Sequence, residues 1–214
     1  MPIGALEIND SEIRYLLLSE KPKAAVIRLE PGVVSDGVVQ DENRFKNALK
    51  NLHSQIGGDG RDTSVIVTIR SSLFYTQVFS LPPLPQEKIN DAIALNLSMI
   101  SPLPEGDRYG DAEPIGRGAS GESEYLGVFA PRTAIDPYMA IFRESGFLPV
   151  ALEFSGLSIA RAIREFSSHD SSVPAIVARL GSAGADFFII KDGRLAFQYL
   201  SLWENLLSES GGRQ

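Results

Sequence analysis

The 214 residues, 43% of them hydrophobic, can form one folded domain, or one domain with a smaller insertion, and they exclude wholesale disorder. The net charge of -7 argues against nucleic acid as the main partner, because phosphate binding needs a clustered basic surface. The chain has no cysteine and only two histidines, which excludes disulfides, thiolate metal sites and histidine-rich metal sites. We find neither an apolar run of about 18 residues nor a secretory start, so we expect a cytosolic chain without a membrane span of its own.

The first part of the chain predicts an α/β fold. Three short apolar runs separated by turn residues indicate a three-stranded meander, at residues 5–8, 13–18 and 24–29. Asp41 can cap the helix that follows, and Gly57 and Gly58 can end it. Two further strands are predicted at residues 65–69 and 75–79. This alternation is typical of a helix packed on a mixed sheet.

A proline-rich phrase at residues 82–85 marks a boundary, because prolines cannot join a sheet ladder. Beyond it, apolar spacing predicts a helix over 86–100, then a strand and a loose glycine-rich loop over 102–124. Residues 125–130 indicate a strand and residues 133–145 a helix. We interpret residues 82–149 as a helix–strand–strand–helix unit inserted into a core domain made of residues 1–81 and 150–214.

The last part of the chain repeats the hairpin pattern of the first. Strands are predicted at 175–180, 186–190 and 195–200, and Asp192-Gly193 suits a two-residue hairpin turn. A strand, a turn of small residues and a second strand therefore occur at residues 7–13 and again at 180–186. Two unrelated hairpins would explain this pattern equally well, since such turns are common.

Two longer stretches carry a family resemblance. Residues 64–106 combine a strand, a small-residue turn, a strand ending in Leu81-Pro82, a helix and a proline-rich exit, and residues 128–153 add a strand, a helix and a Pro149-Val150 return to the sheet. In this order they resemble PilM, the actin-like cytoplasmic protein of type IV pilus assembly, which is related in fold to the cell-division protein FtsA. The resemblance covers nearly all of the chain. It implies a ribonuclease-H-like, actin-like front lobe with an inserted small α+β subdomain.

The resemblance implies that the first hairpin is a phosphate loop, with Asn9, Asp10, Ser11 and Arg14 as its candidate nucleotide-binding residues. The family's loop reads Asp-Ile-Gly-Ser-Ser-Ser, and its small residues let backbone amides surround phosphates. Here Asn9 is bulkier, and Asp10 and Glu12 bring two carboxylates to the place of a polyphosphate. Like charges this close repel by about 1 to 4 kcal/mol each. A nucleotide site at this loop is therefore expected to be degenerate.

The second implied phosphate loop contains Gly181, Ser182 and Gly184, which keep the small size that phosphate needs. Arg179 replaces the family's acidic residue. The chain also lacks the length for the back lobe, which in related folds holds most of the nucleoside. We expect weak or no ATP binding and no ATP hydrolysis by this chain, with ATP and Mg²⁺ left to a longer form. The residues predict no other cofactor, no metal and no catalytic side chain.

The resemblance also implies a partner, the N-terminal cytoplasmic segment of a PilN-like bitopic protein of the inner membrane. It would bind as an extended peptide in a groove beside the inserted unit. The candidate contact residues are Leu84, Ile89, Ile93, Arg132, Phe147 and Leu148. The protein would then work as a cytoplasmic scaffold held at the inner face of the inner membrane by its partners. Two alternatives stay open: a nucleotide-dependent actin-like ATPase or switch, and a GspL-like cytoplasmic domain of type II secretion, which docks a secretion ATPase.

Overall fold

The computed structural model describes residues 3–58, 60–118, 120–166, 173–181 and 184–203. The strands are, in chain order, β1 (Gly4–Ile8), β2 (Glu12–Leu17), β3 (Lys23–Arg28), β4 (Val34–Ser35), β5 (Val38–Val39), β6 (Thr63–Ile69), β7 (Tyr75–Leu81), β8 (Arg108–Arg117), β9 (Ser123–Pro131), β10 (Phe147–Phe154), β11 (Ala175–Leu180), β12 (Gly184–Lys191) and β13 (Arg194–Leu202). The helices are α1 (Glu42–Gln55), α2 (Gln86–Ile100), α3 (Arg132–Glu144) and α4 (Ser155–Phe166). The chain forms two compact units, Met1–Phe74 with Ala130–Ser155 and Tyr75–Phe129 with Gly156–Gln214.

The first unit is built on a five-stranded mixed sheet with the order β10-β6-β1-β2-β3. Strands β1, β2 and β3 form the predicted antiparallel meander, and β6 and β10 continue the sheet in parallel with β1. On β6, the side chains of Val65, Val67 and Ile69 are buried. A mixed sheet with helices in the same unit confirms the α/β fold class.

Helix α1 begins and ends where its local residues predict. The Asp41 side chain accepts a hydrogen bond from the backbone N–H of Arg44 at 3.0 Å, which caps the first turn. Phe45, Leu49 and Leu52 recur at helical spacing and are fully buried. The helix stops before Gly57, whose φ of 73° is the left-handed conformation common after a helix.

The core of the first unit lies where α1 and α3 pack together and against the sheet. Tyr138 and Phe142 of α3 both contact Phe45 of α1, with ring centroids 5.4 and 6.5 Å apart. Edge-to-face rings at this separation add to the free energy gained by burial, by about 0.5–1.5 kcal/mol per pair. The aromatic cluster therefore holds two helices that are distant in the chain.

The second unit contains two three-stranded sheets, with the orders β7-β9-β8 and β11-β12-β13. Helix α2 packs on the first of these sheets through Leu97, which joins Phe79 and Phe129 in a small core. A strand and a loose loop were predicted within residues 102–124, and the ten-residue strand β8 confirms the strand. The second sheet is the antiparallel sheet predicted for residues 175–200.

The two units divide the chain at positions other than those of the expected inserted unit, residues 82–149. Helix α3 packs on α1, and β10 pairs with β6 along its whole length, so both elements belong to the first unit. The segment after Ser155 groups with the second unit instead of the core domain. These groupings depend on contacts between elements far apart in the chain.

Candidate functional site

The first hairpin loop, between β1 and β2, is closed by a side chain of its own. Asn9 Oδ1 accepts hydrogen bonds from the backbone N–H groups of Ser11 and Glu12 and from the Ser11 hydroxyl, each at 2.9 Å. This is an Asx turn, in which a side-chain oxygen takes the place of a backbone acceptor. A phosphate loop would offer such amides to its ligand. Here the chain uses two of them internally.

Asp10 points its carboxylate at three donors elsewhere in the first unit. It accepts hydrogen bonds from the backbone N–H of Asp36 at 3.2 Å and of Gly37 at 3.0 Å, and from Nη1 of Arg70 at 2.6 Å. The Arg70 side chain is only 13% exposed, so this charge-assisted bond is partly shielded from water. The same Nη1 lies 3.3 Å from the carboxylate of Asp36. The carboxylate of Asp10 thus fills a small anion-binding arrangement.

Two of these donors, the amides of Asp36 and Gly37, are placed by a short hairpin, β4–β5, which was not predicted from the sequence. Asp36 and Gly37 both have positive φ, 52° and 77°, as a tight two-residue hairpin turn requires. A Cβ on Gly37 would lie 2.9 Å from Cβ of Arg70, so only glycine fits without displacement. The signal was present, since Asp36-Gly37 stands between paired valines.

Tyr138 supports this turn from the core. Its hydroxyl donates a 2.7 Å hydrogen bond to the Gly37 carbonyl oxygen. Burial raises the pKa of the Tyr138 phenol, and the negative charge of Asp10 raises it further. The phenol therefore stays a neutral donor, and it connects the β4–β5 turn to α3.

Arg14 lies on β2 and forms ion pairs with two acids of the same hairpin. It lies 3.3 Å from Glu7 and also contacts Glu12. Its side chain is 54% exposed, and pairs at such exposure contribute about 0–1 kcal/mol. Arg14 is placed to offset the negative charge of Glu7 and Glu12.

The second hairpin loop lies in the second unit, and its glycines allow backbone hydrogen bonding and close packing of strands. Gly181 N–H donates to the Gly184 carbonyl at 2.8 Å, and Nε1 of Trp203 donates to the Gly181 carbonyl at 3.0 Å. A Cβ on Gly184 would lie 2.3 Å from the Ser201 carbonyl oxygen, so close strand packing explains this glycine. Ser182, the third candidate of this loop, lies outside the described residues. Arg179 lies 3.5 Å from Asp186.

The candidate nucleotide residues thus fall into two groups. Asn9, Asp10, Ser11 and Arg14 share one hairpin of the first unit, whereas Gly181 and Gly184 belong to the second. Within the described ranges, no group of three or more acidic or histidine side chains is arranged to hold a metal ion.

Several solved structures share the fold of this chain. A chain of a "PilM-PilN type IV pilus biogenesis complex" is 15% identical, with a TM-score of 0.77 over all of this chain and 67% of the other. The cytoplasmic domain of EpsL, an inner-membrane component of the type II secretion system of Vibrio cholerae, is 13% identical, with a TM-score of 0.61 over all of this chain and 76% of the other. A Bacteroides thetaiotaomicron protein with an actin-like ATPase fold is 10% identical, with a TM-score of 0.53 over 98% and 74%.

The fold is actin-like. No protein-family model matches the sequence, and no curated protein does. At 10–15% identity, these neighbours share with the chain its actin-like architecture. None of the helices in the described part of the chain is both long and apolar enough to cross a membrane.

In the first unit of this actin-like fold, the candidate partner-binding residues differ in solvent exposure. Leu148 is 47% exposed on the edge strand β10, and Arg132 is half-buried at the start of α3. Phe147 does not suit this role, because its side chain is 1% exposed and packs edge-on against His53, with ring centroids 5.2 Å apart. Leu148 and Val150 are the large apolar side chains that β10 presents to solvent.

The candidates of the second unit are half-buried in its own packing. Ile89 and Ile93 face the core beneath α2, and Leu84 lies in the turn before that helix. The exposed apolar side chains of α2 are Leu95 and Met99, one turn apart on its outer side. Helical spacing identified the stripe correctly, but that stripe faces the sheet.

Proposed function

We propose that this protein is a scaffold of a type IV pilus or related secretion platform and that it binds the N-terminal cytoplasmic segment of a PilN-like inner-membrane protein. The observation that carries the proposal is the similarity to a chain of a PilM-PilN complex, which extends over the whole of this chain with a TM-score of 0.77. That structure is a complex of PilM with PilN. In such a role the protein works in the cytoplasm, at the inner face of the membrane.

The first hairpin supports a binding role over a nucleotide-driven one. Asn9 occupies two loop amides, and Asp10 occupies the donors of Asp36, Gly37 and Arg70. A polyphosphate would have to displace both side chains and approach the nearby carboxylate of Glu12. The chain as a scaffold needs no ATP and no Mg²⁺.

Strand β10 is where we place the peptide. It is an edge strand of the five-stranded sheet, so its outer backbone groups can pair with an extended peptide. Its register shifts between Pro149 and Ala151, which places Val150 in a bulge. The exposed side chains of Leu148 and Val150 offer apolar contacts beside these backbone groups.

Titration calorimetry with a synthetic peptide of a PilN-like N-terminal segment tests this proposal. Leu148→Asp should weaken binding at least about tenfold, because a charge would enter an apolar contact. Leu18→Asp is the matched control, since Leu18 is also exposed in the first unit but lies beyond the end of β2. The control should bind as the wild type does. Absence of binding by both this chain and any longer form of the protein would disprove the proposal.

A second candidate is a GspL-like role in type II secretion, which the similarity to the EpsL cytoplasmic domain favours. The two roles differ in their partners. A GspL-like protein should retain the cytoplasmic secretion ATPase in a pull-down with purified components, and a PilM-like protein should retain the PilN peptide instead.

A further inference from the structure

A pocket of about 390 Å³ lies in the first unit, at the end of the five-stranded sheet opposite the first hairpin loop. Its walls are formed by the end of β2, the start of β3, the turn after α1 and the start of β6. Small-molecule sites in proteins have volumes of about 300–1,000 Å³. The pocket is therefore large enough for a small ligand, and the described residues that line it all belong to the first unit.

The pocket lies on the same face of the sheet as α1. Along β2, Tyr15 and Leu17 alternate with exposed residues, and Tyr15 belongs to the core beneath α1. Leu17 is paired with Lys23 of β3, so these two side chains stand on one face of the sheet. The sheet is thus the floor of the pocket, and the turn after α1 is one of its walls.

Tyr15 brings a hydroxyl without a partner to this pocket. The residue is 4% exposed, and its hydroxyl makes no hydrogen bond with any residue that the structure describes. A buried tyrosine hydroxyl usually has a partner, since a phenylalanine would fill the same space without leaving a polar group unsatisfied. Burial raises the pKa of the Tyr15 phenol, so the group stays a neutral donor. The ring packs against Gly4, where an added Cβ would lie 2.6 Å from Tyr15 Cε2, and the sheet thereby fixes its position.

Lys23 brings a positive charge to the same pocket. Its Nζ donates a 2.7 Å hydrogen bond to the carbonyl oxygen of Ile56, the residue that ends α1. A cation is favoured at the C-terminal end of a helix, so this bond holds the ammonium group in place. The bond uses one of the three donors of the ammonium group, and the other two can serve a ligand.

The rest of the described lining combines charge with apolar surface. Arg61 adds a second cation and Asp62 a single carboxylate, in a chain whose net charge is -7. A local excess of cations in an acidic protein attracts anions. Leu17 and Ile56 line the same pocket with apolar side chains. The lining therefore suits a ligand that joins a negative head group to an apolar body.

We propose that this pocket binds a small organic carboxylate with an apolar body. The carboxylate accepts hydrogen bonds from the Tyr15 hydroxyl and from the Lys23 ammonium group, the second of them charge-assisted. The apolar body lies against Leu17 and Ile56, which removes apolar surface from water. The peptide site proposed on β10 uses none of these residues, so this binding is separate from the scaffold role.

Amide NMR of the isotope-labelled chain tests the proposal, with hydrocinnamate as the test compound and hydrocinnamide as its neutral counterpart. We expect saturable shifts at the amides of Gly57, Gly58 and Thr63, with a dissociation constant of about 1 mM or lower. Hydrocinnamide should bind at least about tenfold more weakly, because it lacks the charge that Lys23 attracts. Absence of saturable shifts at these amides up to about 10 mM hydrocinnamate would overturn the proposal, as would equal affinities of the two compounds.

Two variants separate the roles of the donors. Tyr15→Phe removes only the hydroxyl and should weaken hydrocinnamate binding about fivefold or more. Because that hydroxyl has no partner among the described residues, Tyr15→Phe should unfold at the same urea concentration as the wild type. Lys23→Met removes the charge, keeps an apolar stem and should weaken binding at least about tenfold. Unchanged affinity in Tyr15→Phe would mean that water alone satisfies the hydroxyl, and the proposed contact would be wrong.

Arg28→Gln is the matched control for Lys23→Met. Arg28 is an exposed cation on the same strand, about 17 Å further along it. The control changes the net charge by the same amount as Lys23→Met and should bind hydrocinnamate as the wild type does. Equal losses of affinity in the two variants would show that the overall charge attracts the anion, and this result would overturn the proposal.

Discussion

Nη1 of Arg70 lies 2.6 Å from Oδ2 of Asp10, although 60 residues separate them in the chain. Asp10 sits in the hairpin after β1, and Arg70 directly follows β6, the parallel neighbour of β1 in the sheet. The carboxyl ends of adjacent parallel strands meet at one edge of a sheet, which brings the two side chains together. The pair anchors the first hairpin to the adjacent strand.

Replacement of Asp10 should destabilise the protein. In Asp10→Ala, the amides of Asp36 and Gly37 lose their carboxylate acceptor, and Arg70 keeps only the weaker contact with Asp36. We expect a loss of about 1–3 kcal/mol in the free energy of unfolding, measured by urea denaturation. The control Arg14→Gln removes exposed ion pairs and should cost less than about 1 kcal/mol. Equal losses for the two variants would contradict the role of Asp10.

Mg-ATP should not bind this chain with micromolar affinity. The loop amides of Ser11 and Glu12 already donate to Asn9, and the carboxylate of Asp10 lies in the same loop. Titration calorimetry on a sample that unfolds cooperatively should therefore detect no binding. A dissociation constant near about 1 μM would revive the nucleotide-dependent switch.

The decrease in unfolding free energy at alkaline pH should depend on Tyr138. Burial, and then the charge of Asp10, raise the pKa of Tyr138 in the folded state above the value of about 10 in the unfolded chain. The folded state therefore binds the proton more tightly, and the resulting stability is present below pH of about 10 and is lost above it. Tyr138→Phe should cost about 1–2 kcal/mol at neutral pH through its lost hydrogen bond to Gly37.

Urea denaturation of both proteins from neutral pH to pH of about 11 measures this effect. The difference in unfolding free energy between wild type and Tyr138→Phe should stay constant to pH of about 9 and then shrink. A difference that does not change across this range would contradict the raised pKa.

Substitution of Gly37 should destabilise the protein more than substitution of Gly32, a glycine of similar backbone conformation. Gly32→Ala should cost about 1–2 kcal/mol, because Gly32 has a φ of 82° but no atom near the added Cβ. Gly37→Ala also brings the new Cβ to 2.9 Å from Cβ of Arg70. Its loss in unfolding free energy should therefore exceed that of Gly32→Ala by about 1–3 kcal/mol. Thermal and urea denaturation of the two variants compare the costs. Equal destabilisation by the two variants would show that Arg70 moves away from the added Cβ at no cost in free energy.

Gly184 and Gly181 offer the same comparison in the second hairpin. A Cβ on Gly184 would meet the Ser201 carbonyl oxygen at 2.3 Å, whereas one on Gly181 would have its nearest contact at 3.5 Å. Gly184→Ala should therefore lower the free energy of unfolding by about 1–3 kcal/mol, and Gly181→Ala should stay within about 0.5 kcal/mol of the wild type. The opposite order would mean that strand packing is not what requires glycine at 184.

The elements that were predicted correctly depend on residues close together in the chain. Asp41 caps α1 through a bond to Arg44, three residues away, and the burial of Phe45 and Leu49 follows helical spacing. The meander of β1, β2 and β3 needs only short turns between apolar runs. The stripe of α2 with Ile89 and Ile93 was also recognised, but the sequence does not reveal which neighbour the stripe faces.

The candidate site shows the opposite case. Asn9, Asp10 and Ser11 were singled out from a family resemblance. The role of Asp10 depends on Asp36, Gly37 and Arg70, which the sequence did not connect with it. Phe147 was a candidate contact for a partner and proved to be buried beside His53. The apolar residues around Phe147 would look the same in the sequence whether its side chain contacted a partner or the core.

By itself the sequence determined the α/β class, most helices and strands, and the low content of metal-binding and basic residues, because these follow from composition and from interactions over a few residues. Only the tertiary structure decided that Asp10 pairs with Arg70, that α3 packs on α1, and that Tyr15 and Ile56 line one pocket. Each of these depends on which distant segments meet, and side-chain periodicity specifies a face without naming its neighbour.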